Sequence, residues 1–264
     1  NGRQPEVQLN IDATAMTIAG NGARYIEAIL ASEIAEFLAR EPQSSEAAFA
    51  LETRARFNPN LDSSWFMAVM QLVQNVTMMG LILTGAAVIR EREHGTIEHL
   101  LVMPVTSSEI MVSKILANGG VIVVAALLSL FAVVQLWIGV PIQGSPWLFA
   151  LGAAVYLFSI TSLGILLSTV ANSMQQFALL CIPVFVIMNM LSGGVTPLEA
   201  MPIELQWIMQ LAPSTHYVSF SSAVLYRGAG LDIVWPQLAY SFLLGALFFV
   251  AGLARFRDTI AAQR

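Results

Sequence analysis

The longest uncharged run in the chain extends from Ile115 to Leu198, and it restricts the fold more than any other feature. A helix needs ~20 mostly apolar residues to cross a ~30 Å hydrocarbon core, so this run is too long for one spanning helix or for two. Clusters of Gly, Pro, Asn and Ser interrupt it at 139–146 and at 171–173. The sequence therefore predicts three spans, at about 115–138, 147–170 and 175–193.

Two further spans are predicted outside this run. Residues 63–89 carry no charge and begin near Trp65, and residues 233–254 are uncharged up to Arg255. These spans are predicted at about 65–89 and 233–254. The whole chain is 56% hydrophobic and 11% charged, whereas soluble domains average roughly 45–50% and about 25%. The predicted fold class is an α-helical polytopic membrane protein with five transmembrane helices.

The polar residues 1–62 predict a small extracytoplasmic domain. Apolar and polar residues alternate from Val7 to Asp12 and from Leu51 to Phe57, which is typical of strands, and the segment Ala23–Arg40 has helical spacing. A strand–helix–strand order favours a parallel pair of strands. Because two strands and one helix bury little surface, we predict an incomplete α/β domain that other sequence would complete.

The distribution of Lys and Arg between short loops predicts the orientation in the membrane. Outside the N-terminal segment, all of them except Arg227 would lie on one side: Arg90, Arg92, Lys114, Arg255, Arg257 and Arg264. That side and the C-terminus are predicted to be cytoplasmic, which places residues 1–62 outside. Since a polar segment does not cross a membrane unaided, we expect a further, sixth spanning helix upstream of Asn1.

The residue pattern disfavours several kinds of chemistry. Lys114 is the only lysine and follows no glycine-rich loop, so ATP hydrolysis through a Walker A motif is excluded. His94 and His99 are poorly spaced for metal binding, and we predict neither metal nor catalytic residues in this chain. No charged residue lies at the middle of a predicted span, where ion-coupled carriers usually place an ionisable group, and this argues against such a carrier. Sodium sites made of carbonyl groups stay open, as does a membrane enzyme based on His216 and a nearby serine.

The stretch Arg90–Pro104 is a dense charged patch between two apolar segments. Residues 90–93 continue directly from the first predicted span, and Gly95–Thr96 can end one helix and begin another. A short apolar edge at helical spacing follows, formed by Ile97, Leu100 and Leu101. Thr106–Glu109 then has the pattern of a capping box at the start of the next helix. On the residues alone, this stretch fits a docking element for another protein and a solvated loop equally well.

The segment from Glu91 to Lys114 reads E-R-E-H-G-T-I-E-H-L-L-V-M-P-V-T-S-S-E-I-M-V-S-K. Three other stretches accompany it: F-N-P-N at 57–60, L-S-G-G-V-T-P-L-E-A-M-P at 191–202 and L-A-P-S-T-H-Y at 211–217. Together they resemble the signature of ABC-2 type transporter permeases, the membrane subunits of one class of ATP-binding-cassette exporters. The resemblance covers nearly the whole chain and includes multidrug-export permeases of Gram-negative inner membranes.

This resemblance implies a permease of the bacterial inner membrane that moves a drug-like or lipid-like substrate outward. The subunits would have six helices and form a homodimer or pair with a related permease. ATP and Mg would be bound by a separate cytoplasmic ATPase subunit, so this chain would be neither an enzyme nor a cofactor-binding protein. A periplasmic adaptor protein is a further implied partner, and nucleic acid is not.

The resemblance also implies roles for particular residues. The contact with the ATPase would be made by Arg90, Glu91, Arg92, Glu93, Gly95, Thr96, Ile97, Glu98, Leu100 and Leu101, and by Asn172 and Gln175 of a second, shorter turn. The segment 195–231 would form re-entrant helices at the outer mouth, with Gly193, Gly194 and Pro197 as an outer gate.

The substrate path is less clearly marked. Gln71, Gln74 and Asn75 share one face of the first predicted span, and Asn189 lies late in the fourth. These side chains could line a substrate route or a dimer interface. Alternatively, they could be hydrogen-bonding groups that hold helices together, each such bond contributing about 0.6 kcal/mol on average.

Overall fold

The computed structural model describes residues 63–95 and 105–261 continuously, together with parts of the first 56 residues. Those N-terminal positions are 8–12, 22, 25, 26, 28–30, 32, 33, 36 and 52–56. The chain divides into two compact units, Asn1–Phe66 and Met67–Arg264.

The first unit contains a parallel pair of strands, β1 (Gln8–Asp12) and β2 (Glu52–Arg56). Both strands lie where apolar and polar residues alternate, and Gln8 pairs with Glu52. The described positions between 22 and 36 are helical, as their spacing predicts. A parallel pair needs a long crossover connection, and the sequence between the strands is long enough to supply one. The remainder of the predicted α/β domain lies outside the described residues.

The rest of the described chain is helical. Its α-helices are α1 (Ser63–Glu93), α2 (Ser107–Ser129), α3 (Pro146–Val170), α4 (Met174–Leu191), α5 (Ile203–Met209), α6 (Pro213–Arg227) and α7 (Leu231–Ala261). A π-helical segment, Leu130–Trp137, continues α2, and a single 3₁₀ turn, Leu198–Ala200, precedes α5.

Five of the described helices are long and apolar enough to cross a membrane, which confirms the five predicted spans. These segments are Trp65–Glu93, Ser107–Trp137, Pro146–Val170, Met174–Leu191 and Leu231–Phe256. Two helices extend beyond the predicted spans. α1 continues through its charged end to Glu93, and α2 begins before Lys114. Charges limit how deep a helix can lie in lipid, but they do not interrupt its backbone hydrogen bonds.

α3 is the centre of the helical unit. It packs most extensively against α7 and also against α2 and α6, and its side chains Phe149, Tyr156 and Ile160 are fully buried. Two of its glycines allow neighbouring helices to approach. A Cβ atom at Gly152 would lie 2.0 Å from the Phe220 ring, and one at Gly164 would lie 2.4 Å from a backbone oxygen of α1. Small residues at helix contacts are typical of membrane proteins.

The segment between α4 and α7 forms two short helices rather than a span. α5 carries exposed apolar side chains, among them Ile203 and Trp207. α6 is different, because most of its residues are buried against α3, α4 and α7. Although α6 has a polar composition, it is part of the core.

Candidate functional site

The charged end of α1 is bound to the start of α2 by an ion pair. The Lys114 ammonium contacts Oε1 of Glu91, and their side chains are 13% and 31% exposed. An apolar cluster from α1, α2, α3 and α7 lies close by in sequence, and its buried members are Val88, Ile110, Met111, Ile115, Ile165 and Phe256. Glu91 lies one helical turn after Val88, and Lys114 directly precedes Ile115. The ion pair therefore joins two helices that the cluster already packs together.

The next two residues of α1 bind the turn between α3 and α4. Arg92 donates a hydrogen bond to the backbone carbonyl of Ala171, the residue that caps the end of α3. Oε1 of Glu93 accepts a hydrogen bond of 2.9 Å from the backbone N–H of Met174, the first residue of α4. A cation at a helix C-terminus and an anion at a helix N-terminus both complement the helix dipole. Arg92 and Glu93 thus bind the two ends of one turn.

The α3–α4 turn also has its own hydrogen bonds. The backbone N–H of Asn172 donates to Oε1 of Gln176 at 2.8 Å, and the hydroxyl of Ser173 accepts from the N–H of Gln176 at 3.3 Å. Ser173 is thereby the N-cap of α4. Asn172 and Gln175, the two residues predicted to contact an ATPase here, have exposed side chains.

The helices on either side of the charged stretch have well-defined ends. Gly95 follows α1 with φ +69°, a left-handed conformation that glycine adopts without steric cost. Thr106 and Glu109 form the predicted capping box: the Thr106 hydroxyl accepts from the Glu109 N–H at 3.3 Å, and a Glu109 carboxylate oxygen accepts from the Thr106 N–H at 2.6 Å. The predicted contact residues Thr96, Ile97, Glu98, Leu100 and Leu101 lie outside the described residues.

The residues predicted for a substrate path fall into two groups. Gln74 and Asn189 line one small cavity between α1, α4 and α6, together with Gly194 and Ser214. The cavity volume is about 10 Å³, close to the least that holds one water molecule. The hydroxyl of Ser214 is buried there without a hydrogen-bond partner among the described residues.

Gln71 and Asn75 are not part of this cavity. Both are exposed on α1. The side-chain amide of Gln71 donates a long hydrogen bond of 3.4 Å to the side-chain oxygen Oδ1 of Asn75. The other predicted gate residues do not line the cavity either. Gly193 has φ +93°, and Pro197 precedes the 3₁₀ turn. The structure therefore brings together Gln74, Asn189 and Gly194 at one cavity, and Gln71 and Asn75 contact each other outside it.

Sequence reasoning missed a polar and aromatic contact beside this cavity. Thr77, one of the residues that line it, forms a buried hydrogen bond of 2.6 Å with the Tyr156 hydroxyl. Tyr156 in turn stacks on Tyr217 of α6, with ring centroids 4.1 Å apart. A tyrosine within an apolar span was the available signal, because a buried hydroxyl requires a partner. No cluster of three metal-binding side chains occurs within the described part of the chain.

The family described as ABC-2 family transporter protein matches residues 1–254. The chain belongs to this family. It is therefore a membrane permease, which agrees with the five spans and with the resemblance seen in its motifs. The chain is 52% identical over 262 residues to the inner membrane transport permease YhhJ of Escherichia coli, an alignment that covers 99% of the chain and 70% of that protein.

Two other relatives from Escherichia coli are named probable multidrug ABC transporter permeases. YbhR is 32% identical over 259 residues, covering 96% of this chain and 68% of that protein. YbhS is 26% identical over 215 residues, covering 81% of this chain and 55% of that protein.

Proposed function

We propose that this ABC-2 permease is the membrane subunit of an exporter driven by ATP hydrolysis on a separate cytoplasmic ATPase subunit. The observation that carries the proposal is the charged end of the bundle, where α1 is bound to α2 and to the α3–α4 turn by charged side chains. An ATPase that pressed on this end would act on four spanning helices at once. The lack of a Walker A pattern in the sequence agrees with an energy source on another chain.

The mechanism requires that the ATPase distinguish two conformations of the permease. ATP binding would bring two ATPase domains together and displace the stretch Arg90–Pro104, which continues from α1. A partner can shift a conformational equilibrium only by the difference in its affinity for the two states. A tenfold shift needs about 1.4 kcal/mol, which a few polar and apolar contacts supply.

The proposed setting is the inner membrane of a bacterium, as in the name of the relative YhhJ. The positive residues at the ends of α1, α2 and α7 favour a cytoplasmic location for this end of the bundle. Residues 1–62 would then form an α/β domain on the outer side, where a periplasmic adaptor protein could bind. The pairing of β1 and β2 supports the strand part of that domain.

The substrate route is proposed to lie between two permease copies. The cavity at Gln74 and Asn189 is about 10 Å³, whereas pockets for drug-sized ligands measure roughly 300–1,000 Å³. One copy in this conformation therefore has no room there for such a ligand. Gln71 and Asn75 are exposed on an otherwise apolar face of α1 and are suited to face a second copy or a substrate. The relatives' names favour a drug-like substrate.

Co-purification and reconstitution test this function. We expect the tagged permease, extracted in mild detergent, to retain a subunit in which mass spectrometry finds a Walker A peptide. In liposomes, that complex should hydrolyse ATP faster when a transported compound from a drug and lipid panel is added. Transport by the permease alone, driven by an ion gradient and without any ATPase, would favour the ion-coupled carrier instead.

A further inference from the structure

Three consecutive charged side chains at the end of α1 are all engaged within this chain. Glu91 pairs with Lys114, Arg92 binds the Ala171 carbonyl, and Glu93 binds the Met174 N–H. Glu91 and Arg92 are partly buried, whereas Glu93 is exposed, as are Arg90, Asn172 and Gln175. Side chains held by internal hydrogen bonds are poorly placed to serve as the principal contacts for another protein.

The contacts of Arg92 and Glu93 form a clamp around the α3–α4 turn. One binds the carbonyl that closes α3, and the other binds the N–H that opens α4, so a single helix end satisfies backbone groups on both sides of the turn. Helix ends leave such groups without intrahelical partners. Because the two side chains are adjacent in α1, the turn cannot move away from α1 without losing both bonds.

We infer that Arg92 and Glu93 are positioning residues that couple the α3–α4 turn to α1, so that the two regions proposed to contact the ATPase move as one body. This inference rests on the proposed function and deepens it. Force applied at either region is passed to α1, α3 and α4 together. The direct contacts with the ATPase then belong to exposed residues such as Arg90, Asn172 and Gln175.

The experiment compares Glu93→Ala with Glu93→Gln. Glutamine keeps a carbonyl oxygen that can accept from the Met174 N–H but loses the charge, whereas alanine loses both. Spin labels on His94→Cys and Gln175→Cys, two exposed positions, report the distance between α1 and the turn. The background is Cys181→Ala, since Cys181 is the only native cysteine. The clamp predicts one narrow distance distribution in the parent and in Glu93→Gln, and a broader one in Glu93→Ala.

A second readout uses the complex with its ATPase. Glu93→Ala should still bind the ATPase but lose about tenfold or more of the substrate-stimulated hydrolysis, a usual size for coupling between sites. Glu93→Gln should retain the stimulation. If both variants lose it equally while the label distance stays unchanged, Glu93 contacts the ATPase through its charge and the clamp is wrong.

Arg92→Ala provides an independent variant if Glu93→Ala inserts poorly. It removes the other bond of the clamp without changing the acceptor for Met174, and it should broaden the same label distance. An unchanged distance in this variant would overturn the inference. The label measurement needs no ATPase, so it decides the clamp even if the proposed function fails.

Discussion

At the scale of single residues, the ion pair between Glu91 and Lys114 joins two spanning helices near their charged ends. Lys114 is the only lysine in the chain, and its side chain is largely buried. Taking a charge out of water is costly unless an opposite charge and hydrogen bonds compensate it. Glu91 provides that compensation from another helix. We therefore propose that Glu91 is a structural partner of α2.

Reversal of one charge in this pair should destabilise the permease, and reversal of both should restore part of the loss. Glu91→Lys places two cations together, and we expect a loss of about 1–3 kcal/mol because a desolvated charge loses its partner. The double variant Glu91→Lys with Lys114→Glu re-forms an ion pair. Thermal midpoints of the purified protein in detergent would measure both effects. A double variant no better than the single one would mean that the pair contributes little.

At the scale of elements, close contact between helices explains why α3 has a glycine where it meets α6. Gly152 of α3 lies directly against the ring of Phe220 on α6, with no space for a side chain. In contrast, a Cβ atom at Gly120 of α2 would meet nothing within 4 Å among the described residues. Gly152 therefore has a packing role, whereas Gly120 has no close neighbour in the described part of the chain.

This contrast predicts different effects for the same substitution. Gly152→Ala should lower stability by about 1–3 kcal/mol, because the added methyl group forces Phe220 and its backbone to shift. Gly120→Ala is the matched control and should be neutral or slightly stabilising, since alanine favours helices more than glycine does. Thermal unfolding followed by fluorescence-detected size exclusion would compare them. Equal midpoints for the two variants would show that the α3–α6 contact adapts without cost.

At the scale of the whole molecule, the exposed faces of the spans are mostly apolar, and Gln71 and Asn75 are exceptions within the uncharged part of α1. Exposed amides in lipid lose hydrogen bonds that water or a second protein would provide. A second copy placed against this face would supply them. We therefore expect the interface of the proposed permease dimer to include this face of α1.

Cysteine cross-linking in native membranes tests that location. In a Cys181→Ala background, Asn75→Cys should form disulfide-linked dimers on mild oxidation. Leu116→Cys is the control, because Leu116 is 68% exposed on α2 and should face lipid. Cross-linking of both positions to the same extent would place the dimer contact elsewhere.

Much of the architecture was predictable from the sequence by itself. The five spans, the continuation of α1 into its charged end and the Thr106–Glu109 capping box all follow from local patterns. They do so because a membrane forces each crossing segment to satisfy its backbone hydrogen bonds internally, and such helices are recognised by length and hydropathy. Each of the four stretches that resemble the family signature is likewise contiguous in the chain.

Only the tertiary structure decided what the charged residues of α1 bind and which polar groups share a cavity. Arg92 and Ala171 are 79 positions apart, and no periodicity connects them. Gln71 and Gln74 lie on the same helix, yet one is exposed and the other lines the cavity with Asn189. These outcomes depend on which helices pack side by side, and that follows from the fit of surfaces such as Gly152 against Phe220. Local sequence patterns do not encode such a fit.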